Sequence, residues 1–369
     1  MQELLKGILG LGWQNFAMFI IAGILIYLAI AKEYEPTLLL PIGFGAILAN
    51  IPFSDAIKPE GVLTALYNAG IKTELFPVLI FIAVGAMIDF GPLLKNPFML
   101  FFGAAAQFGI FATMLVATLF GFSLPEAATI GIIGAADGPT SIIVAQKLAP
   151  TLIAPITVAA YSYMSLVPII QPPVIKLLTT KKERLIRMEY TEEKVPKVVK
   201  ILFPIIVTIL AGLIAPSSVA LVGFLMFGNL IRECGVLDRL SKSAQNELAN
   251  LVTILLGITI GSTMVGEKFF DLKTLAIIGL GLVAFIFDTA GGVIFAKILN
   301  LFLKKKINPM IGAAGISAFP MSARVIQQMA TKEDPTNFII AQSISANVSG
   351  QLGSIVAGGM ILALVPLFM

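Results

Sequence analysis

From Trp13 onward, apolar stretches of roughly 20 residues follow one another with only short polar interruptions, and a helix of that length spans a bilayer. The chain is 57% hydrophobic and only 12% charged, which excludes a soluble domain and leaves an all-α polytopic membrane protein. Candidate spans run at 15–31, 37–51, 74–89, 97–121, 151–178, 198–214, 217–232, 249–265, 273–299 and 336–367. Two further apolar segments, 125–148 and 308–330, are interrupted by Gly and Pro and read as re-entrant hairpins. The start, MQELLKGILGLGWQNFAMF, has Lys6 and Trp13 and no clear cleavage site. An interfacial helix is expected there, not a removed signal peptide.

The most polar loop, TTKKERLIRMEYTEEKVPKVVK (179–200), is placed in the cytoplasm, because basic residues collect on that side. Counting spans outward puts Lys32, Lys95, Arg232, Arg239, Lys242, Lys297 and 304–306 on the same side. Lys6, Lys58, Lys72, Lys268 and Lys273 fall opposite. The net charge of +4 fits this bias and not a nucleic-acid footprint, so the surroundings are membrane lipid.

Short internal matches suggest a duplication. IGAADGPTS (133–141) resembles IGAAGIS (311–317), Gly85 matches Gly261, and PIGFGAILAN (41–50) resembles LVGFLMFGN (221–229), all at offsets of roughly 180 residues. Five spans and one hairpin per half would make the second copy start on the opposite face. The expectation is an inverted repeat over 1–178 and 201–369, joined by a cytoplasmic linker at 179–200.

Histidine is absent and Cys234 is the single cysteine, so no internal disulfide, His-based proton shuttle or Ser-His-Asp set can form. There is no P-loop or Cys/His cluster, and nothing supports a pump driven by ATP. Chemistry must then fall to a few intramembrane polar groups. Asp137 lies within IGIIGAADGPTSIIVAQ (130–146), where a carboxylate at membrane depth costs ~3 kcal/mol on insertion scales and usually faces a cavity. It reads as an ion ligand, with Thr140 and Ser141 as further oxygens, or as a helix cap ahead of Pro139; the two roles are compatible. In the last span Ser343, Ser345, Asn347, Ser349, Gly350 and Ser354 are dense for a lipid-facing helix, though small residues also serve close packing. Asn347 offers a hard-cation oxygen beside glycines that could unwind the helix. Tyr161 is a packing residue or a proton donor. Asp288 is a second intramembrane acid and could pair with Lys297. Arg324 is an interfacial anchor or an anion clamp.

GAADGPTSI (134–142), MFGNLIRECGVLDRLS (226–241), GISAFPMSARV (315–325), EDPTNFI (333–339) and SANVSGQLGSIVAGG (345–359) resemble the membrane β subunit of sodium-translocating biotin-dependent decarboxylases, and the resemblance covers nearly the whole chain. It implies a multi-pass inner-membrane protein that decarboxylates carboxybiotin delivered by a partner subunit and couples this to Na+ export, consuming a proton. Asp137 then matches the Na+-binding and coupling aspartate, Asn347 and Ser354 match polar residues handling Na+ and protons, and Tyr161 belongs to the same pathway. Arg324, with Gly315 and Ser317 at the second hairpin tip, is expected to receive the carboxybiotin anion. Implied partners are biotin-carrier and carboxyltransferase subunits and a small single-span membrane subunit, with further copies of the chain left open. The opposed hairpins resemble those of elevator-type transporters. The alternative is a Na+-coupled secondary anion transporter without decarboxylase activity.

Overall fold

A computed structural model describes residues 2–33, 36–188, 195–214 and 216–368, and among these the chain forms helices and no strand. In chain order the α-helices are α1 Gln2–Leu9, α2 Trp13–Ala31, α3 Pro36–Asn50, α4 Val62–Leu66, α5 Leu75–Met87, α6 Gly91–Lys95, α7 Leu100–Ala106 and α8 Phe108–Leu119. They continue as α9 Leu124–Gly131, α10 Gly138–Leu148, α11 Ile153–Ser165, α12 Val167–Leu178, α13 Lys181–Arg184, α14 Lys197–Ile214 and α15 Val219–Glu233. The remainder are α16 Asp238–Ser243, α17 Ala249–Ser262, α18 Gly266–Phe269, α19 Leu272–Phe302, α20 Met310–Ala313, α21 Met321–Glu333 and α22 Ile340–Leu364.

Four stretches are long and apolar enough to cross a membrane alone: Trp13–Ala31, Pro97–Leu119, Leu272–Phe302 and Ile340–Phe368. The count becomes six if two bent pairs each form one span, Pro36–Asn50 with Asp55–Ile71 (105°) and Pro150–Ser165 with Val167–Leu178 (69°). The chain is a polytopic membrane protein. Helix length does not reproduce all ten expected spans. While 249–265 falls on α17, which runs on unbroken from α16 through the π-helical residues Ala244–Leu248, the segments 74–89 and 217–232 fall on helices of only 13 and 15 residues. At 1.5 Å per residue these reach about 20–23 Å, short of a ~30 Å hydrocarbon core.

What those helices do is cross one another. A Cβ on Gly45 would sit 2.3 Å from the Ile258 carbonyl and one on Gly261 2.1 Å from that of Ile42, so α3 and α17 touch backbone to backbone. α5 and α15 meet likewise: a Cβ on Gly85 would lie 1.9 Å from the Leu225 carbonyl, and one on Gly228 2.1 Å from that of Ile82. Small residues permit this approach, which a bilayer favours because lipid gives apolar side chains no reason to associate. An asparagine ends each crossing. Asn50 Nδ2 donates to the Met264 carbonyl (2.6 Å) just past α17, and Asn229 Nδ2 to the Ile88 carbonyl (2.8 Å) just past α5.

Ion pairs gather at two ends of the bundle. One end holds Glu74–Lys147 (3.4 Å) and Glu126–Lys273 (2.6 Å). The other holds Lys200 between Asp89 (3.0 Å) and Glu233 (3.4 Å), Lys297–Glu183 (3.3 Å), Arg184–Glu333 (2.7 Å) and Arg187–Asp334 (2.6 Å). There the Thr336 hydroxyl and amide, followed by Arg187, hold the Asp334 carboxyl down at about 2. Arg232 stands at the same end, where it donates to the Met87 carbonyl (2.7 Å).

Asp288 corrects an expectation. It does not pair with Lys297, whose Nζ donates to the Leu178 carbonyl (2.9 Å) and pairs with Glu183. Instead Asp288 Oδ1 accepts the Ile110 amide (3.0 Å) where the long apolar stretch breaks at Gln107 between α7 and α8. The amides at a helix start thus meet one oxygen of this carboxylate in place of a basic partner, while Oδ2 is buried without a hydrogen bond.

Candidate functional site

The first hairpin turns at residues that oblige it to. α9 begins with a Ser123/Glu126 capping box and runs into a 3-10 turn, Ile132–Ala135. Ala136 is left-handed (φ 52°), Asp137 is extended (φ −121°, ψ 94°), and α10 restarts at Gly138 with Pro139 in its first turn. Asp137 is therefore the N-cap of α10, its Oδ1 accepting the Thr140 amide at 3.3 Å. A Cβ on Gly138 would meet the Tyr161 ring at 2.2 Å, so α11 seats that ring directly on the hairpin's first turn.

The second hairpin breaks between α20 and α21, and the two tips meet where the Ser317 amide donates to the Ala135 carbonyl (2.9 Å). Its irregular carbonyls are held from two helices. Asn347 Nδ2 donates to Ala314 (3.2 Å) and Ile316 (2.7 Å), and Gln171 Nε2 donates to Ala313 (2.9 Å). Non-helical backbone at this depth must find such partners.

Four donors from three segments converge on one oxygen. Asp137 Oδ2 accepts from Thr140 Oγ1 (2.7 Å), Ser354 Oγ (2.8 Å), Ser317 Oγ (3.3 Å) and Gln351 Nε2 (3.3 Å). All five residues are buried, and Asp137, Ser317 and Gln351 line a cavity of about 210 Å³ that also takes in Tyr161 and Thr253. The Tyr161 hydroxyl is buried and has no hydrogen-bond partner. The cavity lies between the hairpin tips and α3, α5 and α17, and reaches exposed Thr37 at the end of the bundle that carries the Lys200 pairs.

Of the residues expected at a site, Asp137, Ser317 and Ser354 are thus bonded together and Tyr161 shares their cavity. Asn347 is displaced from this cluster. Its nitrogen fastens the second hairpin, its Oδ1 is buried without a partner, and α22 remains helical through the neighbouring glycines. Those glycines pack instead: a Cβ on Gly350 would lie 2.2 Å from the Gly315 carbonyl. Gly315 accordingly stands behind the tip, against Phe102 and Gly350, and Arg324 is exposed on α21; neither lines the cavity. Gln351 escaped the sequence reading. Asn347, Gln351 and Ser354 fall on one helical face at i, i+4 and i+7, and that stripe was the available signal.

Among the described residues no group of three or more His, Cys, Asp or Glu stands together. One carboxylate among neutral oxygens suits a single positive charge, either a monovalent hard cation or a proton. Over residues 14–365 the chain matches the model of a family described as the Na+-transporting oxaloacetate decarboxylase beta subunit. The chain belongs to that family. This β subunit is 54% identical over 359 residues to the methylmalonyl-CoA decarboxylase subunit beta of Veillonella parvula, covering 97% of this chain and 95% of the relative. It is 52% identical over 360 residues to the glutaconyl-CoA decarboxylase subunit beta of Acidaminococcus fermentans (98% and 96% covered). With the oxaloacetate decarboxylase beta chain of Klebsiella pneumoniae it shares 44% identity over 417 aligned positions (96% of each). The β subunit is a multi-pass cell-membrane protein of the sodium-pumping decarboxylases, and its relatives belong to multi-subunit enzymes.

Proposed function

We propose that Asp137 is where Na+ and a proton exchange in a carboxybiotin decarboxylase that exports Na+. The observation that carries this is the convergence of three hydroxyls and one amide on Asp137 Oδ2 between the two hairpin tips. Hydroxyls rotate, so Thr140, Ser317 and Ser354 can donate to the carboxylate or present lone pairs to a cation, and the Gln351 amide can turn its oxygen in the same way. Decarboxylation converts N–CO2− and a proton into N–H and CO2. The proton must arrive through groups other than histidine, and Asp137 and the unpartnered Tyr161 hydroxyl are the groups placed to carry it. A protonated Asp137 holds Na+ poorly, which ties the two events together. Exposed Arg324 lies off the cavity, so its part is to meet the carboxylate on arrival and not to hold it beside Asp137. Family membership favours this reading over a Na+-coupled anion transporter.

The same proposal includes an inverted repeat over 1–178 and 201–369 with the 179–200 linker on the cytoplasmic side. It is supported by the crossings. Gly45 stands to Ile258 as Gly228 to Ile82, and Gly261 to Ile42 as Gly85 to Leu225. This pairs Gly45 with Gly228, one helical turn away from the register in which Asn50 matches Asn229. The meeting of the hairpin tips at Ala135 and Ser317 supports the reading of opposed hairpins in an elevator-like carrier. The subunit works with a biotin carrier, a carboxyltransferase and a small single-span membrane subunit. Avidin capture of the native complex followed by a decarboxylase assay with and without Na+ tests the function. Recovery of the chain without any biotinylated partner, or turnover indifferent to Na+, overturns it.

A further inference from the structure

A second and larger cavity, about 940 Å³, lies on the far side of the same helices. It takes Val158 from α11, Ser262 from the end of α17 and Thr263 just past it, and its rim carries exposed Glu267, Lys268 and Asp271, at the end of the bundle that holds the Glu126–Lys273 pair. The Asp137 cavity takes Tyr161 from α11 and Leu256 from α17. Along α11 the two cavities are separated by one turn, Val158 to Tyr161, or about 4.5 Å of rise. Along α17 the gap from Leu256 to Ser262 is about 9 Å. The intervening residues are Ala159 and Ala160 on one helix and Gly257, Ile260 and Gly261 among those on the other. Thr259, the hydroxyl in that gap, is bonded to the Leu255 carbonyl at 2.6 Å.

We propose that these cavities are the inner and outer approaches of one cation path, and that the outer one is where the monovalent cation is discharged. The proposal rests on reading Asp137 as the cation site. Small side chains on α11 make the barrier thin, and shifting the hairpin and α11 by two turns, about 10.8 Å, along α17 carries Asp137 past the gap of about 9 Å. Water entering from both ends concentrates the membrane field across that barrier. Each charge then meets most of the ~2.3 kcal/mol per 100 mV over one or two turns instead of ~30 Å. The hydroxyls of Ser262 and Thr263 and the carboxylates of Glu267 and Asp271 supply oxygens beyond the barrier, where a cation regains water.

The test uses the complete complex in sealed vesicles with Cys234→Ser as background, so that single cysteines report alone. Ser262→Cys should react with a membrane-impermeant quaternary-ammonium thiol reagent from the extracytoplasmic side, and modification should abolish most Na+ transport. Thr253→Cys should react only from the cytoplasmic side. Thr151→Cys, exposed on the same outer cavity, serves if Ser262→Cys does not assemble. Inert cysteines at both outer positions while Lys268→Cys on the rim is labelled overturn the proposal, as does labelling that leaves Na+ transport unchanged. If Ser262→Cys is blocked as expected but Asp137→Asn still transports Na+, the path stands and the Asp137 reading fails.

Discussion

Asp137→Asn separates the structural duty of this residue from its charge. Asparagine caps a helix as well as aspartate does, so the bond from the Thr140 amide survives. On the Oδ2 side the new NH2 faces donors. The hydroxyls of Thr140, Ser317 and Ser354 can turn to accept, and Gln351 can flip its amide. At most one or two hydrogen bonds are lost, about 1–2 kcal/mol, which leaves a buried hairpin folded. The charge is another matter. Removing one partner of a buried ion pair costs about 3–5 kcal/mol. At 1.4 kcal/mol per decade, Na+ affinity should fall by at least ~100-fold. The variant complex should assemble as the wild type by size exclusion, yet lose both Na+-stimulated carboxybiotin decarboxylation and ²²Na+ uptake into vesicles. Wild-type turnover with an unchanged half-saturating Na+ concentration would refute the reasoning and remove Asp137 from the path.

Because Na+ and the proton compete for the same oxygens, the half-saturating Na+ concentration should rise as pH falls, and a flat profile sinks the shared site. Asn347→Ala should loosen the second hairpin and weaken Na+ binding while leaving that pH trend in place; loss of the trend would mean that the competition at Asp137 depends on the hairpin's position and not on the carboxylate alone. Gly85→Ala puts a Cβ 1.9 Å from the Leu225 carbonyl and should destabilise by about 1–3 kcal/mol or more, read as a lower Tm, while Gly23→Ala, with nothing within 4 Å, should not. Asp288→Ala leaves the Ile110 amide with the Gln107 carbonyl alone and should cost about 0.5–1.5 kcal/mol, whereas Asp288→Asn keeps the second acceptor; equal losses of Tm in the two variants would refute the capping role.

Periodic apolar stretches, the basic bias of one set of loops, and a lone carboxylate beside Gly-Pro are local properties, written in consecutive residues. They were enough to place this chain in a membrane, to locate the two interrupted segments, and to single out Asp137. The partners of Asp137 are not local. Ser317, Gln351 and Ser354 lie 180 to 217 residues away, and their convergence depends on two hairpin tips meeting through the Ser317 amide and the Ala135 carbonyl. The fates of Asp288 and Asn347 were likewise out of reach. A buried acid can be met by a lysine or by backbone amides, and an amide can face a cation or a carbonyl. Composition does not distinguish these, because each satisfies the same group. Which one occurs depends on which helix lies opposite, and α8 and the second hairpin reach those positions through glycines at backbone contact: a Cβ on Gly109 would lie 2.2 Å from the Asp288 amide nitrogen and one on Gly350 2.2 Å from the Gly315 carbonyl.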